Sequence, residues 1–453
     1  MRKERIPFIL NGTLFVVTLF LSLITDWNPP RWKDFNDPAD YLQQSKIPLS
    51  SREFYAPHQQ GTFFPRAFTV PLFYKLAGSK PEVIIQMQRV IHSLATLFLA
   101  YALLMIINRL WIRYLILFSV YLLMSWWNIL GWTAQLLSES LSVSLLFCWI
   151  ASFLLVWKKK NLFFILLHIL VTILFSFTRD TWPYIIILFY LLISVFTVFS
   201  QRSFFPKAFF LLSCSVILFF VQLNTARVGH RHRLPLMNNI AVRVLSNPGY
   251  TAWFEIHGMP DVKILHPVYR RVDITVDSDR HKIWNLYWNQ NYKAFSDWTV
   301  NEGRNEYMKF MLSHPSYFFL LHESKQQLQR IFAYNLWYTP EIRGYSRLAE
   351  PVFPFFGFIS VTVFCILLII LYFRKRDPIL FFPVLLWLIF FANVFLSYNA
   401  DALEVERHLC ITMIAVQLIG FVSLALILDH VNAQSPSPSW NDSPGRSSVL
   451  GMK

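Results

Sequence analysis

The chain has 453 residues, of which 55% are hydrophobic, 17% aromatic and only 15% charged, with a formal net charge of +15. That balance lies far from an ordinary soluble domain. The lack of a Gly-rich phosphate loop, and of two histidines at zinc-protease spacing with a glutamate, argues against a nucleotide-hydrolysing engine and a zinc protease.

Stretches of roughly 17 to 25 apolar residues, enough to cross the hydrocarbon core as helix, recur along the sequence and predict about ten spans. The first runs from Ile6 to Ile24, followed by Val83 to Ile107, Tyr114 to Leu130, Leu136 to Trp157 and Leu162 to Phe177. Trp182 to Phe199 and Phe205 to Leu223 precede a long polar segment, and Val352 to Phe373, Ile379 to Leu396 and Leu409 to Leu428 close the bundle. The fold class expected is all-α, a polytopic membrane helix bundle with an external, mainly helical subdomain. Its divisions are a membrane module over 1–223 with a first external loop at 25–82, the subdomain over 224–351, C-terminal membrane helices over 352–428, and a disordered tail over 433–453.

Lys and Arg in short loops favour the cytoplasmic side. Arg2, Lys3 and Arg5 place the N-terminus inside, and alternation from there puts Arg109 and Arg113, Lys158 to Lys160, Arg202 and Lys207, and Arg374 to Arg376 inside as well. The chain is read as multi-pass in the cell membrane with both termini cytoplasmic. The first span has no small-residue cleavage site after it and is read as a retained anchor.

The segments this topology places outside carry a different set of charges. Asp34, Asp37 and Asp40 follow the first span, Glu139 opens the fourth, Arg179-Asp180 ends the fifth, and Asp401, Glu404, Glu406 and Arg407 precede the last. Helix ends are wet and tolerate charge, but a recurring set of acids beside arginines on one face is more than topology asks for. Glu139 suits either a bundle-facing site or the positive end of its own helix dipole. Gln86, Gln88, Arg89 and His92 form a polar stripe at the start of the second span, which reads as a cavity lining or as a frayed helix entry. In the long polar segment, His314-Pro315 should interrupt a helical stretch, with the proline opening a second helix.

Asp37-Pro38-Ala39-Asp40-Tyr41, an external acid four residues before a tyrosine just after the first span, resembles the GT-C superfamily of integral membrane glycosyltransferases. The Pro65-Arg66 to Pro71 stretch, Leu137-Ser138-Glu139-Ser140-Leu141, Arg179-Asp180 and the Glu-x-Glu-Arg element ending at Arg407 resemble its polyprenyl-phosphate-dependent branch. That branch includes protein O-mannosyltransferases, lipid A aminoarabinose transferases and lipopolysaccharide galacturonosyltransferases. The chain departs from the pattern in lacking an adjacent Asp-Glu pair in the first loop, and in reading Glu406-Arg407-His408 where relatives often have Arg-Tyr.

The resemblance implies transfer of a sugar from a polyprenyl-phosphate donor to an acceptor hydroxyl of a glycan, lipid or protein, among membrane lipids and without nucleic acid. Such a transfer needs a base, and an outer-face carboxylate fits. The resemblance assigns that role to Asp37, whose spacing to Tyr41 is similar to the family pattern, with Asp40 and Asp34 as the alternatives. The departing phosphate calls for fixed cations, for which Arg66, Arg179 and Arg407 are the candidates. Glu139, Asp180 and Glu406 complete the donor-binding set, Glu139 and Glu406 either orienting those cations or holding a divalent ion. The competing reading is a non-catalytic membrane scaffold, flippase or transporter in glycan assembly. A secondary transporter would be expected to keep its ionisable groups near the bilayer midplane, on broken helices in paired repeats.

Overall fold

The computed structural model describes residues 2–24, 37–58, 63–159, 161–200, 203–269, 282–283, 286–287, 289–332, 356–402 and 405–431. Asp34, Glu404 and the tail over 433–453 lie outside the described residues. Among those described, regular structure is helical and no strand forms. The chain is an all-α, multi-pass membrane protein.

Helix α1 (Arg2–Ile24) is followed in the first loop by α2 (Asp37–Ser45), α3 (Arg52–Tyr55) and α4 (Thr69–Leu76). The bundle continues with α5 (Pro81–Ile106), α6 (Leu110–Met124), the short α7 (Trp127–Leu130), α8 (Ser138–Lys159), α9 (Leu162–Ser176), α10 (Trp182–Ser200) and α11 (Phe205–Val228). The subdomain holds α12 (Arg233–Asn239), α13 (Pro248–Ile256), α14 (Val262–Tyr269), α15 (Lys293–Trp298), α16 (Arg304–Ser313) and α17 (Pro315–Phe318). Helix α18 (Lys325–Phe332) leads back to α19 (Phe358–Lys375), α20 (Phe382–Ala400) and α21 (Val405–Val431).

Eight of these helices are long and apolar enough to cross a membrane: α1, α5, α8, α10, α11, α19, α20 and α21. Helices α6 and α9 are apolar but have 15 residues each, about 22 Å at 1.5 Å per residue against a hydrocarbon core of about 30 Å. The span expected over Tyr114 to Leu130 is corrected in its bounds: the helix begins earlier, at Leu110, and breaks at Ser125. The helix stops at Met124, where Ser125 N–H turns back to the carbonyls of Tyr121 and Leu123, and the chain bends through α7 and a 3-10 turn at Gly131–Ala134.

Helix α8 lies at the centre of the bundle. Its serines 140, 142, 144 and 152 are all buried, small side chains of the kind that let neighbouring helices approach where packing and hydrogen bonds, not exclusion of water, hold spans together. One such contact runs across three helices: Ser152 Oγ lies 2.8 Å from His168 Nδ1, and His168 Nε2 meets the Tyr190 hydroxyl. At the end of the bundle remote from the subdomain, Asp429 accepts the Asn108 and Arg109 backbone N–H groups at 3.1 and 3.0 Å and so caps the start of α6.

The subdomain has its own core, in which Phe254, Leu265, Leu286, Phe295 and Phe310 are fully buried. The interruption expected at His314-Pro315 is present: α16 ends at Ser313 and Pro315 opens α17. The subdomain is fastened to the end of α20 by polar contacts. Arg243 lies over the Tyr398 ring at 3.6 Å, the Tyr398 hydroxyl donates to Glu323, and Asn239 Nδ2 donates to the Asn399 carbonyl at 3.1 Å. At the junction with α11, a Cβ on Gly229 would lie 3.0 Å from the Pro57 carbonyl and 3.1 Å from Pro65, so this position favours glycine for close approach to the first loop.

A candidate anion site at the subdomain face

The site is built outward from α2. Spacing of three and four residues puts Asp37, Asp40, Tyr41 and Gln44 along one face of that helix. Gln44 clamps the returning loop: its Oε1 accepts Arg66 N–H at 3.0 Å, and its Nε2 donates to the carbonyls of Phe54 and Arg66 at 2.9 and 3.0 Å. Asp40 Oδ1 accepts Phe64 N–H at 3.1 Å. The loop is thereby laid over α2 with the Arg66 side chain turned inward. Its Nη2 lies 2.6 Å from Asp37 Oδ1 and 2.6 Å from Asp40 Oδ2, with the guanidinium 5.3 Å above the Tyr41 ring.

A second cation arrives from the far end of the chain. Arg407, in the first turn of α21, places Nη2 2.9 Å from Asp37 Oδ2 and Nε 3.3 Å from Glu139 Oε1. Glu139, in the first turn of α8, is 1% exposed and also accepts from Ser138 Oγ at 3.3 Å. Arg179, between α9 and α10, lies 3.7 Å from Glu139 Oε1 and donates to His408 Nδ1. Three arginines thus surround three carboxylates drawn from positions 37 to 407 of the sequence.

The two aspartates that share Arg66 respond to it in opposite ways. Burial pushes the Asp37 carboxyl up, but Arg66 and Arg407 together outweigh it and hold the group well below the usual carboxylate range. Asp40 is raised, because burial prevails over Arg66 and the Phe64 N–H and the negative Asp37 adds to it. Asp37 is the more accessible of the two, with 20% of its side chain exposed against 7% for Asp40.

Of the residues singled out in the sequence, Asp37, Asp40, Arg66, Glu139, Arg179 and Arg407 come together here. Asp180 does not join them. Its carboxylate receives Arg231 Nη2 at 2.9 Å and Gln222 Nε2 at 2.5 Å, tying the start of α10 to the segment that enters the subdomain. Glu406 sits in α21 with its side chain outside the described atoms, and Asp34 lies outside the described residues altogether. The polar stripe on α5 is not a frayed entry: the helix begins at Pro81, and Gln88, Arg89 and His92 are buried. Among the described residues no three His, Cys, Asp or Glu side chains gather as a metal site, and Glu139 faces guanidinium groups. Sequence reasoning missed Gln44 and His408. The first is signalled by its register with Asp37, Asp40 and Tyr41, and the second only by its place beside Arg407 in the Glu406-Arg407-His408 element.

Comparison with known proteins adds no relative: no family model, no curated protein and no solved structure matches the chain.

Proposed function

We propose that this chain is a GT-C-type membrane glycosyltransferase, transferring a sugar from a polyprenyl-phosphate donor to an acceptor hydroxyl at the external membrane face. The observation that carries the reading is the convergence of Asp37 with Arg66, Arg407, Arg179 and Glu139 at one end of the spans. Fixed guanidinium groups in a partly desolvated setting are suited to a lipid phosphate, and most of all to one gaining charge as it departs.

Without ligand, the three arginines are balanced by Asp37, Asp40 and Glu139. An arriving phosphate competes for the N–H groups that face Asp37, and a carboxylate relieved of those partners becomes a stronger base. Asp37 then takes the proton of the acceptor hydroxyl while that oxygen bonds to the anomeric carbon on the side opposite the phosphate. The carbon–oxygen bond to phosphate breaks, its electron pair stays on the phosphate oxygen, and configuration inverts. Asp40, more buried and bonded to Phe64 N–H, holds Arg66 in place.

The test is Asp37→Asn in cells and in reconstituted membranes. Glycoconjugate formation should fall steeply, with a polyprenyl-phosphate sugar accumulating while the protein stays at its normal level. Unchanged product at unchanged protein level would sink the assignment. It would favour the second reading, a lipid-phosphate scaffold or flippase, which needs the arginines but not the base.

A further inference from the structure

Arg179 has the loosest acidic partner of the three cations. Its Nη2 is 3.7 Å from Glu139, beyond hydrogen-bond length, whereas Arg66 and Arg407 each have a carboxylate oxygen within 2.9 Å. What orients it is His408. A guanidinium carries donors only, so the Nδ1 that meets Arg179 presents a lone pair, and a neutral ring then carries its proton on Nε2. That second nitrogen lies 3.9 Å from Asp401 Oδ2, too far for a direct bond but near enough for the carboxylate to favour this tautomer. Asp401 is itself placed by the subdomain, accepting Asn238 Nδ2 from α12 at 2.9 Å.

The charges facing the ring from the surrounding elements are Arg179, Arg407, Asp37 and Arg66, together with Asp401. That Nδ1 acts as an acceptor follows from its contact with Arg179, whose guanidinium has no lone pair to offer.

We propose that His408 is a positioning residue: its Nδ1, set by Asp401 behind it, fixes the Arg179 guanidinium beside Glu139 and so completes a three-arginine site for a lipid phosphate. The inference rests on the lipid-phosphate reading above. It also gives the subdomain a physical route to the site, through Asn238, Asp401 and His408.

The experiment measures retention of a labelled polyprenyl phosphate by the full-length protein in phosphatidylcholine nanodiscs. His408→Ala should weaken binding by about tenfold, the size of one charge-assisted hydrogen bond. His408→Asn, whose Oδ1 can accept in place of Nδ1, should retain wild-type affinity. Wild-type affinity in the alanine variant overturns the proposal, as does an asparagine variant as weak as alanine but equally heat-stable. Should the alanine variant not accumulate, Asp401→Asn supplies the second arm, with a loss of about threefold expected from the freed tautomer and no loss overturning the proposal. Wild-type protein retaining no probe above the nanodisc background overturns the lipid-phosphate reading itself and this inference with it, an outcome distinct from the variant results.

Discussion

The His168 cluster within the bundle and the Asp37 cluster at the subdomain face are both buried polar networks, but they differ in charge, in reach along the chain and in access. The first joins Ser152, His168, Thr172 and Tyr190 from three consecutive helices, with His168 wholly buried. Neutral groups that satisfy one another there act as interhelical glue, worth about 1 kcal/mol per contact. The second gathers six ionisable side chains from distant parts of the chain and leaves Asp37 and Arg66 about one-fifth exposed. Desolvated ion pairs of this kind seldom stabilise a fold better than apolar packing would. Polarity inside the bundle is thus weak evidence of a site, whereas charge combined with access is strong evidence.

Substitutions can break that distinction. The largest effect expected is on activity: Asp37→Asn should reduce transfer by roughly 10²- to 10⁴-fold, the usual worth of a general base, in a radiolabelled-sugar assay. Next is stability. Arg66→Met leaves the buried Asp40 carboxylate without its cation, and thermal unfolding should show a loss of about 3 kcal/mol. Smaller still, Tyr190→Phe removes the hydroxyl that meets His168 and should lower stability by about 1 kcal/mol with transfer unchanged. A Tyr190→Phe protein that keeps its melting temperature but loses transfer would erase the contrast between the two networks.

The sequence carried the helical class plainly, because apolar runs of span length are a composition signal. It was less reliable on length: Tyr114 to Leu130 is continuously apolar enough to be read as one span, yet the Ser125 turn ends α6, since apolarity does not show where the backbone bends. For the site, Asp37, Glu139, Arg179 and Arg407 were legible as charges at span ends. Asp180 looked equivalent to Arg179 beside it, but adjacent residues on a turn point in different directions, and Asp180 turns to Arg231. His408 was hidden because its meaning depends on a partner 229 positions away.

The smallest effect expected concerns acid. Asp37 has its pKa lowered from an ordinary 3.8, so its ion pairs contribute stability that is present above about pH 4 and fades as pH falls through the depressed value. Asp40 is raised, so its contribution has the opposite sign: the folded state holds the proton more tightly than the unfolded chain, and stability is lost as pH rises through the window just above 3.8. Melting curves between pH 3 and pH 6 should separate the two aspartates. The gap between wild type and Asp37→Asn should stay constant down to about pH 4 and close below it, whereas the gap to Asp40→Asn should change just above that value. Tyr190→Phe, which disturbs no carboxylate, should run parallel to wild type throughout. If it too diverges in acid, the neutral network is coupled to the charged one and the two regions are not independent.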